Sequence, residues 1–301
     1  MSSAQKHPTH EDFLAFSKSH LLAEHTMAIE LSYKRRGQGE PLVLIHGIGH
    51  RLEAFDPVFD ELAEHYDVIA VDLPGFGQSP GFASGADYSL DALAEAVVAN
   101  YSRWGIDNPH VVGNSMGGAV SVILGQRGQA RSVTALSPAG WFWPWTLLLA
   151  GLPLLLMKIG SFAPNAILRL LAGSTIGRKI MGLSLYRYPE RLTPERTYGD
   201  ALSMRRAKGF WPMLLGHIPL AFRVPRIFKG ATRVPTTIAW GNRDLILSPR
   251  MASKAAASLA GINFVVLDDA GHVPMSDSPD AVIAAINETT ALATSVTHKT
   301  A

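Results

Sequence analysis

The chain has 301 residues, 27 Lys and Arg against 25 Asp and Glu, a formal charge of +2, 47% hydrophobic residues and no Cys. This length and apolar content build a sizeable core and exclude a disordered or low-complexity protein. The balanced charge argues against a protein built to bind nucleic acid, and the absence of Cys rules out a disulfide or a thiolate-held metal.

In chain order, the first 25 residues hold no continuous apolar run and carry Glu11, Asp12 and several His. They do not read as a signal peptide, so the expected location is cytoplasmic. Residues 26–40 read as a hairpin arm with a Gly-rich turn. Apolar runs at 41–47, 66–72, 110–115, 132–137, 235–241 and 262–268 predict strands. The spacing of Ala, Leu and Val predicts helices at 53–65, 89–104, 116–127, 250–260 and 279–293. Strands that are apolar throughout, rather than alternating, belong in a parallel sheet buried on both faces, so the expected class is α/β.

The alternation breaks once, between Ser137 and Pro235, where the pattern is helical. This predicts a core domain from 1–137 and 234–301 with an inserted helical cap at 138–233. Residues 138–233 hold fourteen Lys and Arg but only three acids (Glu190, Glu195 and Asp200), a formal +11 against −9 for the remainder. The uncharged stretch from Ser137 to Met157 is long enough to span a bilayer, but Pro138, Pro144 and Pro153 interrupt it, which favours a covered apolar surface.

Gly113-Asn114-Ser115-Met116-Gly117 fits G-x-S-x-G, the bend that exposes a serine oxygen above a sheet. The run HVVGN leads into it, and a helix of small residues leads out. A serine hydroxyl is a poor nucleophile near neutral pH and needs a histidine base, oriented by a carboxylate. Asp244 in AWGNRD and His272 in DDAGHVP follow Ser115 in the expected order, each just after a strand. Among rival acids, Glu190 lies deep in the cap, while Asp268 and Asp269 are better placed to hold the histidine loop. Backbone N–H groups of Ile48 and Met116 are candidate donors to a developing oxyanion, with His46 shaping the His46–Gly49 loop. No phosphate loop, dinucleotide fingerprint or metal-ligand spacing is present, so neither cofactor nor metal is expected.

With HGIG at 46–49, DLPGFGQS at 72–79, GNSMGG at 113–118, WGNRD at 240–244 and GH at 271–272, the chain resembles the α/β-hydrolase superfamily, specifically its capped serine hydrolases. The resemblance spans roughly residues 26–292. It implies the α/β-hydrolase fold and a Ser115-Asp244-His272 triad, and leaves the substrate open among esterases, lipases, thioesterases, carbon-carbon bond hydrolases and cofactor-free haloperoxidases. Epoxide hydrolases and haloalkane dehalogenases of this superfamily carry an aspartate where this chain has Ser115. Meta-cleavage hydrolases usually have a Gly-Pro-rich oxyanion loop and a Trp after the histidine, where this chain has HGIGHR and Val273. That reading is therefore the runner-up, together with a thioesterase, and a non-catalytic ligand receptor on the same fold is the alternative of a different class.

The expected activity is hydrolysis of a small ester with an apolar acyl group. Trp141, Trp143, Trp145 and Leu148, within the stretch from Trp141 to Met157, are the expected acyl-site lining, although packing of the cap onto the core would use the same residue types. The basic cap beside an apolar stretch is also compatible with peripheral contact with an anionic membrane. Ion pairing with the acidic core, or steering of an anionic substrate such as an acyl thioester of coenzyme A, would use the same charge.

Overall fold

A strand that is apolar throughout needs cover on both faces and pairing on both edges, and the inner strands obtain both. In this computed structural model, residues 29–141, 144–221, 228 and 230–300 are described, with the side chains of 144–148, 217–221 and 295–300 left out. The N-terminal stretch read as lacking a signal peptide lies outside the described residues.

Strands β1 (Tyr33–Arg36), β2 (Glu40–Ile45), β3 (Tyr66–Val71), β4 (His110–Asn114), β5 (Ser132–Leu136), β7 (Thr236–Gly241) and β9 (Asn263–Leu267) form one sheet, in the order β1-β3-β2-β4-β5-β7-β9. Every neighbouring pair is parallel except β1 with β3, and the register sets Val43 beside Val111, Val111 beside Val133 and Ala135 beside Ile238. Strands β4, β5 and β7 are buried along their whole length.

The expected hairpin between residues 26–40 and the next strand does not form. β1 pairs with β3 instead, because β2 spends both edges on β3 and β4. The exposed YKRR of β1 suits the edge it takes. Gly37, at φ +94, makes the turn possible: a Cβ there would lie 2.1 Å from the Tyr66 carbonyl oxygen.

The flanking helices are α1 (Asp56–Leu62), preceded by a 3-10 turn at Leu52–Phe55, then α2 (Leu90–Ala99), α3 (Tyr101–Trp104) and α4 (Met116–Arg127). The single helix expected at 89–104 is divided at Asn100. The Asn100 side chain accepts from Leu31 N at 3.1 Å and donates to the carbonyls of Ile29 and Ala96, which ties the approach to β1 onto this helix pair. Helix α4 is buried from Met116 to Gly125, which explains its lack of charge over those residues.

Between β5 and β7 lie α5 (Pro144–Gly160), α6 (Asn165–Gly173), α7 (Thr175–Gly182), α8 (Pro194–Arg206) and α9 (Phe210–Ala221). Pro153 sits inside α5 without ending it, contrary to its expected role as a break. The chain turns by 116° between α5 and α6, and among the described residues no single helix is long and apolar enough to cross a membrane. Strand β6 (Gly230–Ala231), within the stretch expected to be helical cap, pairs instead with β8 (Leu259–Ala260).

Buried Lys158 donates from Nζ to the carbonyls of Met204, Arg205 and Ala207, which satisfies the C-terminus of α8. Burial lowers its pKa. One of the fourteen basic residues of this stretch is therefore structural rather than part of a charged surface. The chain then closes with α10 (Pro249–Ser258), α11 (Pro274–Asp277) and α12 (Pro279–Thr300).

Candidate active site

Ser115 stands between β4 and α4 at φ 57, ψ −116, a conformation that a residue with a side chain adopts only when its surroundings hold it there. Ser115 N donates to Leu136 O at 2.9 Å, and Ser115 O accepts from Ala119 N and Ala139 N. Two glycines allow the tight approach. A Cβ on Gly113 would lie 2.1 Å from Gly117 O, and one on Gly117 would lie 2.1 Å from Ile45 O.

Asp244 follows β7 and His272 follows β9, so both lie beyond the same carboxyl edge of the parallel strands as Ser115. His272 Nδ1 is 2.8 Å from Asp244 Oδ2, and both residues are buried. Asp244 Oδ1 accepts from the N–H groups of Ile246 and Leu247, both at 2.8 Å, so its carboxylate is held on both oxygens. An ionised carboxylate can only accept, which puts the proton on His272 Nδ1 and leaves Nε2 with a lone pair.

Asp268 accepts instead from the Asn242 side chain, and the exposed Asp269 lies 3.7 Å from Arg243. Neither takes the position that Asp244 holds on the His272 ring.

The loop after β2 passes directly over the serine: a Cβ on Gly47 would lie 3.0 Å from the Ser115 Cβ. Ile48 and Met116 line the same small cavity as Ser115, and Met116 is the first residue of α4, where backbone N–H groups have no partner within the helix. His46 fixes this loop. Its Nε2 accepts from Leu73 N at 3.0 Å and its Nδ1 donates to Gly47 O at 2.8 Å, and burial lowers its pKa, so the ring is neutral. Asp72 accepts from Leu52 N and Gln78 N, which braces the DLPGFG turn behind it.

A sequence profile of the Alpha/beta hydrolase family matches residues 42–285. The chain belongs to the alpha/beta hydrolase family. It is 29% identical over 250 residues to Lipase 3 of Moraxella sp. (strain TA144), covering 80% of this chain and 74% of the lipase. It is 30% identical over 204 residues to an epoxide hydrolase of Mycobacterium tuberculosis, covering 64% of this chain and 91% of that enzyme. The structure of a thermophilic esterase from Thermogutta terrifontis superposes with a TM-score of 0.64 at 22% identity, covering 86% of this chain and 92% of the esterase.

In this hydrolase two further residues, which the motif reading did not single out, position the histidine. Asn114 donates from Nδ2 to His272 O at 2.9 Å and to Leu136 O, joining the Ser115 bend to a residue 158 positions away. Its only sequence signal is its place beside Ser115. Asp277 accepts from the N–H groups of Gly271, Arg187 and Tyr188, and so ties the histidine loop to the segment after α7. Burial outweighs those three donors and raises its pKa.

The cavity at Ser115, about 60 Å³, is lined from α5 by Ala150, Gly151 and Leu154. Trp141 is elsewhere. It stacks on Phe228 with ring centroids 4.7 Å apart and donates to Ser258 Oγ, so it packs the core rather than the expected acyl site. Trp143 lies outside the described residues, as do the side chains of Trp145 and Leu148.

Across the loop and α5 lies a larger cavity of about 540 Å³, whose lining includes His50, Tyr186 and Asp200. The Tyr186 hydroxyl donates to Asp200 Oδ2 at 3.0 Å and lies 3.4 Å from His50 Nε2, while Arg196 pairs with Asp200. Burial is the largest cause of a His50 pKa lowered to about 4 from 6.5, with Arg196, His46 and His272 pushing the same way and Asp200 opposing.

The unfolded chain therefore binds a proton at position 50 more readily than the folded one. Stability present above pH 6.5 should be lost as pH falls towards 4, on the order of 3 kcal/mol from this residue. His50→Gln should flatten the decline of the urea midpoint between pH 7 and pH 4. An unchanged slope would show that His50 is not the group responsible.

Proposed function

We propose that the protein hydrolyses carboxylic esters with an apolar acyl group through an acyl-enzyme on Ser115. The observation that carries this reading is the Asp244–His272 hydrogen bond, which leaves His272 Nε2 free to accept a proton at the edge of the sheet where Ser115 is held in a strained bend.

In this mechanism His272 Nε2 takes the Ser115 Oγ proton as the oxygen attacks the ester carbonyl. The resulting oxyanion lies between the N–H groups of Ile48 and Met116. Collapse breaks the bond to the alcohol oxygen, which leaves with the proton from His272. Water then attacks the acyl-serine with the same base, releasing the carboxylic acid and restoring Ser115. Asp244 orients the ring and stabilises the imidazolium in both halves.

The walls support an apolar acyl group. Leu90, Leu154, Met213, Leu214 and Leu247 surround the cavity together with Ile48. The similarity to a lipase and to an esterase supports the same reaction class. In a panel of p-nitrophenyl esters from acetate to octanoate, kcat/KM should rise with each methylene until the site is full, by up to about fourfold per step at about 0.8 kcal/mol. A flat or falling series would overturn the acyl preference.

A further inference from the structure

Sixteen large apolar side chains are exposed among the described residues, and ten of them fall between Leu149 and Leu183. They are arranged in stripes. On α5, Leu149, Leu152, Leu156 and Ile159 recur at three- and four-residue spacing, and on α7 Ile176 and Ile180 continue to Leu183 in the same way. Phe162 is exposed at the sharp turn between α5 and α6, and Ile167 and Leu170 are exposed on α6.

The stripes belong to one surface, because Leu152 and Leu156 of α5 and Ile180 and Leu183 beyond them also line the 540 Å³ cavity. That cavity therefore opens between the two stripes. Gly49 and His50 line it too, and they directly follow Ile48 of the cavity at Ser115 in the chain.

The charge carried by this stretch of chain has one sign. Residues 149–183 include Lys158, Arg169, Arg178 and Lys179 and no acid. Lys158 is buried, but Arg169 and Lys179 are exposed and adjoin stripe residues Leu170 and Ile180. Lys179 has a partner beyond the stretch, Glu190 at 3.7 Å. A second copy docked through the same face would bring two acid-free basic stretches together, with Glu190 and the cavity's Asp200 each already paired to a cation, which disfavours self-association. Apolar side chains flanked by cations fit the boundary between acyl chains and anionic headgroups.

We propose that the α5–α7 face docks on an anionic lipid bilayer, holding the mouth of the large cavity against the lipid so that an ester with a long acyl chain reaches the site from the membrane. The docking stands on the surface alone, whereas the delivery of substrate rests on the ester-hydrolase reading above.

The test uses the full chain and a Leu170→Asp, Ile176→Asp double variant. Both positions are 73% exposed and neither lines either cavity, so the variant should keep the fold and the site, which an unchanged urea midpoint checks. The wild-type chain should sediment with vesicles of equal parts phosphatidylcholine and phosphatidylglycerol at low ionic strength. Pure phosphatidylcholine vesicles should bind less, and high salt should weaken binding to the mixed ones. The double variant should lose at least about tenfold in partitioning. It should also lose hydrolysis of a long-chain ester embedded in the vesicles, while keeping wild-type rates on a soluble butyrate ester.

Absence of wild-type binding to the anionic vesicles, or equal binding by the double variant, would overturn the docking. A concentration-dependent dimer in sedimentation velocity that the double variant abolishes would assign the face to a second copy instead. Repeating the vesicle measurement with Ser115→Ala separates the two claims, since docking does not need the nucleophile.

Discussion

Ser115→Ala should abolish hydrolysis of p-nitrophenyl butyrate, with a loss in kcat on the order of 10⁶-fold if the bend acts as other serine nucleophiles do. The substitution removes the oxygen proposed to form the acyl bond and leaves the backbone bonds that hold the bend. The backbone bonds from Ser115 N to Leu136 O and from Ala119 N and Ala139 N to Ser115 O do not involve the side chain. The variant should therefore keep its urea midpoint near that of the wild type, and a correctly folded variant with substantial turnover would remove Ser115 from the mechanism.

The second large effect is expected at Asp244. In Asp244→Asn the amide must satisfy two demands at once. The N–H groups of Ile246 and Leu247 require an oxygen, so the new NH₂ is turned towards His272 Nδ1. A donor there moves the ring proton to Nε2, which can no longer accept from Ser115. The cost should be about a thousandfold or more in kcat, with a much smaller change in KM. Asp268→Asn and Asp269→Asn alter contacts to Asn242 and Arg243 only, so each should stay within a few-fold of the wild type. If Asp269→Asn proved as damaging as Asp244→Asn with the fold intact, the orienting carboxylate would be misassigned.

What was legible in the sequence follows from where the information is local. The runs at 110–115 and 132–137 predict β4 and β5 to within one residue, because strands buried on both faces must be apolar at every position. Ser115, Asp244 and His272 each sit in a short motif at a strand end, so alternation of strands and helices was enough to bring them to one edge.

The hairpin expectation at 26–40 failed because the choice between β2 and β3 as the partner of β1 depends on which edge is free, a property of the whole sheet. Trp141 was misread because an aromatic residue that packs the core and one that lines a cavity have the same composition. The links from Asn114 to His272 and from His50 to Tyr186 join residues 158 and 136 positions apart, and no spacing rule reaches that far. Pro153 shows the converse: it sits inside α5, where a local rule for breaking helices predicts an end.

The central claim, that Ser115 carries the acyl group, is most directly tested by treating the full chain with a fluorophosphonate and locating the adduct by mass spectrometry of the intact protein and its peptides. One equivalent of label on the peptide containing Gly113-Asn114-Ser115-Met116-Gly117, absent from Ser115→Ala, is the expected result. Undiminished labelling of Ser115→Ala, or an adduct confined to another serine, would contradict it.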